Sequence, residues 1–355
     1  MSVFGVRPAL AWDAPGHRTI TLLALDSLAE QADAPFWVTD ESTRTGIADQ
    51  SVMPDRWRST RIAQLAHENN TDHFIDLEDL EPFGLTLTDI SPLRYEFIKQ
   101  MVRAQERAGA AFKGKAVDPE KDWAKTLEWP GFLPHAIMEH FAKLQSSFKT
   151  LRIFEALLAE EVTALEAAKA GAAAGTSDGA KATNVLAEAA VRTRNDQILM
   201  ARANVMYHMG VLSHFVGDAA QPLHTTKHYN GWVGDNPSGF TTEKTFHAYI
   251  DGGIVEKHRL NHLNLRGARA PMQPLIDVKD PWQDVLALIT RSFEMVTPLY
   301  EMHRTGELEQ VIGARFIGQR MTDGAAVLGS LYHAAWTNSA ITDKDVAEFK
   351  KYDGK

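Results

Sequence analysis

The stretch MGVLSHFVGDAAQPLHTTKHYNGW, residues 209–232, sets His214, Asp218 and His224 within eleven residues. Val211, Leu212, Phe215 and Val216 recur at helical spacing and read as the buried side of a helix. Pro222 stops that helix, because proline has no amide to donate and its ring crowds the preceding turn. Residues four apart share a helix face, so His214 and Asp218 point the same way. The spacing recurs in FHAYID, residues 246–251, with His247 and Asp251. His224, just past the proline, can fold back to the same place. Imidazole and carboxylate turned inward need something to offset their desolvation, and as a donor set they suit zinc. One such pair is more often a buried hydrogen-bonded pair than a metal site. Two pairs and a third histidine leave both readings open.

Working outward, the rest of the chain is helical in period and poor in alternating strands. GHRTITLLALDSLAEQ (16–31) places Ile20, Leu23, Ala24 and Leu28 on one face. SPLRYEFIKQMVRAQERAGAAF (91–112) predicts a helix capped by Ser91 with Pro92 in its first turn. Residues 133–170 form a long helical pattern with room for one break, and the low-complexity run GAAAGTSDGAKAT (171–183) predicts a loop tip between two antiparallel helices. Helical pattern continues over 195–221, 242–258, 282–303 and 308–336. With no internal repeat and no linker, the expectation is an all-α, single multi-helix domain over 12–340 with a helical insertion at about 85–200, followed by a tail at 341–355.

At 355 residues, the chain can bury a sizeable core. A net charge of −9 argues against a broad non-specific grip on nucleic acid, although bound cations can supply positive charge locally. The absence of cysteine removes disulfide, thiolate-zinc and thiol-nucleophile chemistry. No apolar run approaches the roughly 20 residues of a membrane span, so integral membrane association is not expected. Ala9–Ala11, just before Trp12, has the small-residue pattern of a signal-peptidase site, behind a stretch too short for a full signal. A signal-peptide remnant over 1–11 and a plain leader both fit.

HFVGDAAQPLH followed by a Gly/Asn-rich loop and FHAYID resembles the signature of the S1/P1 nuclease and zinc-dependent phospholipase C superfamily. That family's further elements occur here in order, as WDAPGH (12–17), PDRWR (54–58) and DHFIDLED (72–79). The resemblance covers about 12–76 and 205–255, and the C-terminal helices loosely. It implies an all-helical enzyme of the phospholipase C/P1 nuclease type with three zinc ions. One zinc would take Asp55, His73, His214 and Asp218. A second would take His224, His247 and Asp251. The third would take His17, Asp218 as a bridge, and Trp12 through its main chain, which requires cleavage after Ala11 and therefore export to a secreted or periplasmic location.

The expected reaction is hydrolysis of a phosphate ester by a metal-bound hydroxide, with Asp55 and Asp218 holding the metals and Arg58 clamping a phosphate oxygen. The short spacing in WDAPGH and the 22 residues between His224 and His247, which include NGWVGDN, lean toward the nuclease branch. Single-stranded nucleic acid or a nucleotide is then the expected partner, with Phe74 stacking on a base and Asp76 and Asn236 contacting it. A phosphatidylcholine-type phospholipase is the alternative, and a non-catalytic metal-binding protein a third class. The 141-residue separation of His73 from His214 departs from compact members of either branch. His135, His140 and His208 are expected to be structural.

Overall fold

In a computed structural model of the chain, the described residues are 12–174 and 178–352. They are all-α, with two isolated bridges, Ile75–Gly131 and Tyr229–Gly231, as their only β pairing. In chain order the helices are α1 (Asp13–Ala29), α2 (Glu41–Gln50), α3 (Met53–Ser59), α4 (Ala63–Asn69), α5 (Arg94–Ala108), α6 (Leu133–Ala174) and α7 (Asp178–Ala219). After these come α8 (Phe246–Ala248), α9 (Val255–Lys257), α10 (His262–Leu265), α11 (Trp282–Glu294), α12 (Val296–Thr305), α13 (Val311–Asn338) and α14 (Asp343–Tyr352). Residues 1–11, where the signal remnant was expected, lie outside the described residues.

The chain divides into two compact units, one running to His140 and resuming over Met209–His333, the other formed by Phe141–His208 and the residues from Ala334 onward. In the first, α1 buries Ile20, Leu23 and Leu28 near the last turns of α7, where Leu212, Phe215 and Val216 are buried. Two glycines set how near other segments come to α7. A Cβ at Gly210 would meet Gln50 and the Ile47 carbonyl on α2 at 2.3 and 2.7 Å, and one at Gly217 would meet His17 Nδ1 at 3.0 Å. Without side chains there, α1 and α2 flank the turn that carries His214. A Thr21–Ser213 hydroxyl contact of 2.6 Å and the bond from Trp12 Nε1 to the Gly217 carbonyl, 2.8 Å, fix the register.

The second unit is built on α6, α7 and α14. Arg194, almost wholly buried, donates to Glu161 Oε1 at 2.9 Å and Gln197 Oε1 at 2.8 Å. Residues 341–355, expected as a tail, instead contribute α14, whose Asp345 pairs with Lys149 at 2.6 Å and whose Phe349 meets Phe154 edge-on. The long pattern after Leu133 is one unbroken helix, and most of 171–183 is helical as well, with α6 reaching Ala174 and α7 beginning at Asp178. Alanine's helix propensity outweighs the two glycines there. Residues 175–177 lie outside the described residues.

The region 85–200 is not helical throughout. Beyond the short turn at Gly109–Ala111, residues 112–132 carry no helix. The helix expected to start at Ser91 begins at Arg94, because Ser91 turns its amide to Gln100 Oε1 and its hydroxyl to the Leu93 amide. The pattern at 282–303 is divided between α11 and α12. That at 242–258 starts only at Phe246 and contains a π-helical segment, Tyr249–Ile254.

Arg94 ties α5 to the His73 segment. Its guanidinium bonds Asp72 Oδ1 at 2.5 Å and takes Glu139 bidentately at 2.8 Å. Burial pushes the Asp72 carboxyl up to about 6, against the pull of Arg94. Arg94→Met strands that carboxylate, and the expected cost is about 3 kcal/mol in urea unfolding, as for other broken buried pairs. Asp72→Asn in the Arg94→Met background should recover part of it; no recovery would mean that lost packing, not stranded charge, accounts for the effect.

Candidate metal centre

Every element of this site belongs to the first unit. α7 brings His214 and Asp218, one turn apart and fully buried. α3 brings Asp55 and Arg58, and α1 brings His17. His73 ends a short 3-10 turn, and His224 ends another directly after Pro222. His247 and Asp251 sit where α8 gives way to the π-helical turn, a local change of pitch often found at functional sites.

Three buried groups have ligand atoms within 4.8 Å of one another and could hold a metal ion: His17, Asp55 and His214; His73, His214 and Asp218; and His224, His247 and Asp251. In the second, His73 Nδ1, His214 Nε2 and Asp218 Oδ2 form a triangle with edges of 3.0, 3.1 and 3.4 Å. Two ligands about 2.1 Å from a tetrahedral zinc stand roughly 3.4 Å apart, so the triangle is of the right size. In the third group, His224 Nε2 and His247 Nε2 are 3.0 Å apart, and His247 Nε2 lies 2.9 Å from Asp251 Oδ2.

The protons decide what these contacts mean. His214 Nδ1 lies 2.8 Å from the Ser51 carbonyl and His224 Nδ1 against the His73 carbonyl. His73 Nε2 instead lies 3.0 Å from Asn69 Nδ2, which also donates to the Pro54 carbonyl at 2.8 Å. A carbonyl only accepts, so the His214 and His224 rings spend their N–H there, whereas the Asn69 amide nitrogen donates and meets a lone pair on His73 Nε2. Burial, the largest cause for all three, holds them well below the usual imidazole range, and hence neutral. His247 is pushed down to about 3, again by burial. His214 Nε2 therefore presents a lone pair to His73 Nδ1 at 3.0 Å.

The carboxylates move the opposite way. Burial raises Asp218 and Asp251 well above the ordinary value and Asp55 to about 7, with Arg58 opposing each rise. Asp55 Oδ1, Asp218 Oδ1 and Asp251 Oδ2 are buried without a hydrogen-bond partner. A proton on Asp218 could satisfy one edge of the triangle; a cation satisfies all three. Converging acceptors and neutral rings, with the second nitrogens of His214 and His224 anchored on carbonyls, make a donor set suited to a divalent metal.

All nine residues singled out as ligands lie in this buried cluster. His17 stacks on His214 at 4.0 Å between ring centres, with its Nε2 3.6 Å from Asp218 Oδ1. It groups with Asp55 and His214, a set that spacing did not indicate. Trp12 is fully buried, and its main-chain N–H bonds Asp251. His135 is spent on the Ser91 carbonyl at 2.9 Å, and His135, His140 and His208 belong to none of the three groups.

A cavity of about 480 Å³ opens onto His73, His224 and His247, with Arg58 in its wall. Phe74, half-buried, and Asp76 line it too. Burial raises Asp76 to about 7 against Lys115, which lies 3.0 Å away. Asn236 is not among the lining residues; its amide staples its own loop to the Phe240 main chain at 2.8 and 2.9 Å. The lining also includes Lys115, Lys121, Trp123 and Tyr229, which carried no motif. For Lys121 and Trp123 the only signal was an aromatic residue among lysines in KDWAK (121–125), set in a run without helical period, whereas Tyr229 lies within the stretch 209–232.

No family model, curated protein or solved structure matches the chain. The site is therefore argued from its own geometry.

Proposed function

We propose that the chain is a zinc-dependent hydrolase of phosphate esters, of the S1/P1 nuclease kind, acting on nucleotides or single-stranded nucleic acid. The observation that carries this is the buried triangle of His73 Nδ1, His214 Nε2 and Asp218 Oδ2, whose edges match the ligand spacing of a tetrahedral zinc. Zinc, when bound, brings the pKa of a coordinated water to about 7 and offsets charge on phosphate oxygens. Three ions would be held as the resemblance has it, with Asp218 shared between two sets.

The remaining roles fall to the chain itself. Burial keeps His73, His214 and His224 neutral, and carbonyls hold the outer nitrogens of His214 and His224, so those two rings are already oriented for a metal. Arg58 brings positive charge to the cavity wall and is placed to take a phosphate oxygen. Phe74 offers a half-buried ring for a base, and Asp76 Oδ1, buried without a hydrogen-bond partner, can accept from a base or sugar. Among the described residues, no helix is long and apolar enough to cross a membrane.

The test is metal analysis combined with a substrate panel. About three zincs per chain and hydrolysis of bis(p-nitrophenyl) phosphate that a chelator abolishes are expected. Single-stranded DNA and RNA assayed beside phosphatidylcholine then separate nuclease from phospholipase. Zinc should also raise the melting temperature, more at about pH 8 than at about pH 5, since metal and protons compete for the same atoms. A protein that takes up no zinc, or whose hydrolysis survives chelation, overturns the reading.

A further inference from the structure

Segment 113–127 supplies much of the cavity wall and belongs to no motif. It has no regular secondary structure, yet it is pinned at several points. Lys115 Nζ bridges Asp76 and Asp79 at 3.0 and 2.9 Å. The Ala124 carbonyl lies 2.7 Å from His67 Nδ1. Asp122 Oδ1 accepts from the amides of Thr126 and Leu127 at 2.8 and 3.3 Å. Asp122, Ala124 and Thr126 are buried, whereas Trp123 between them keeps 52% of its surface exposed while lining the cavity. The backbone on both sides is anchored, and the largest apolar side chain of the segment is held out in the cavity mouth. Tyr229, from another part of the chain, is 47% exposed in the same wall.

We propose that Trp123 is a specificity-determining platform on which the planar aromatic substituent of a phosphate ester, of the nucleobase kind, stacks. The proposal rests on the phosphate-ester reading of the metal centre. With the backbone anchored on both sides, the segment loses little freedom when a base settles on the ring, so less of the stacking energy is spent on ordering. Lys115 and Lys121 in the same wall are paired with carboxylates, Lys115 with Asp76 and Asp79 and Lys121 with Asp118, so recognition by this segment falls to the ring of Trp123. An acyl chain would use the apolar surface of Trp123 and Tyr229 equally well, but it has nothing to donate to Asp76 Oδ1. A base or a sugar has. The volume, about 480 Å³, falls within the range of single small-ligand sites.

The experiment compares adenosine monophosphate with glycerol phosphate, both phosphomonoesters, by phosphate release from the zinc-loaded full chain. Trp123→Ala should lower the ratio of kcat/KM for the adenosine ester over the glycerol ester roughly tenfold, mainly through KM, the worth of one stacked base. Trp123→Phe should restore most of that ratio, which a purely structural role would not predict. Saturable quenching of tryptophan fluorescence by adenosine monophosphate, lost in Trp123→Phe, reads stacking without any turnover. An unchanged ratio, or a loss confined to short-chain phosphatidylcholine, overturns the proposal; the second result makes the wall a lipid contact. If the wild-type chain cleaves neither these monoesters nor bis(p-nitrophenyl) phosphate, the phosphate-ester reading fails by itself. The quenching titration still decides the platform, and its absence overturns it.

Discussion

Asp218→Asn is expected to lower phosphate-ester hydrolysis about a thousandfold, roughly 4 kcal/mol of transition-state stabilisation at 1.36 kcal/mol per decade. Asp218 Oδ2 closes the triangle with His73 and His214, and Oδ1 stands 3.6 Å from His17 Nε2, so one side chain serves two groups of acceptors. Asparagine keeps the shape but loses the charge and one oxygen. It also brings an amide N–H that can donate to the lone pair of His214 Nε2, which stands 3.4 Å from Asp218 Oδ2. The variant should therefore fold without metal at least as well as the wild type.

The sign of the pH dependence follows from burial. Asp218 has its folded-state pKa raised well above the ordinary value, so the metal-free folded protein holds a proton that the unfolded chain releases. That contribution to stability is complete below about pH 4 and is lost as the pH rises toward the folded-state value. Asparagine does not titrate. In a chelator, the melting temperature of Asp218→Asn relative to the wild type should thus climb between about pH 5 and pH 8, while added zinc should raise it far less than in the wild type. A zinc-induced rise equal to the wild type's would remove Asp218 from the donor set.

How much of this could be read from the sequence follows the range of the physics. His214 and Asp218 were legible because helical spacing is local, and His224 because Pro222 must end the helix beside it. The all-α class followed from periodicity over many turns. The π-helical turn at Tyr249–Ile254 escaped notice because a single extra residue of pitch leaves the apolar pattern nearly unchanged. The stacking of His17 on His214 depends on Gly217 letting the imidazole come near α7, a contact between residues 200 positions apart in the chain. Trp123 was missed for the opposite reason. The bonds that hold its segment run to His67, Asp76 and Asp79, and none of them leaves a periodic trace. Asn236, expected at a base, bonds the Phe240 main chain of its own loop, a local closure that the sequence pattern does not reveal.

Protein that begins at Trp12 is expected to bind one more zinc per chain than protein in which Ala11 is still attached, and to hydrolyse phosphate esters at least about tenfold faster, the worth of roughly 1.4 kcal/mol. Trp12 is fully buried, its indole bonded to the Gly217 carbonyl at 2.8 Å and its own carbonyl 3.3 Å from the His17 amide. Its main-chain nitrogen therefore cannot leave the cluster, where it donates to Asp251. As a peptide nitrogen it has a proton to give and no lone pair to offer a cation. As a free amine, with an ordinary pKa of about 7.7–8.0, it has a lone pair within reach of neutral pH. The backbone points the same way. Trp12 sits at φ +26°, a region in which a bulky L residue is crowded, and severing the bond to Ala11 removes the carbonyl that defines this angle. Cleavage thus exchanges a strained amide for a metal-ready amine at the same place. Zinc content and turnover of the two proteins, measured side by side, check this, and equal occupancy in both would leave Trp12 as a packing residue and the centre one donor short.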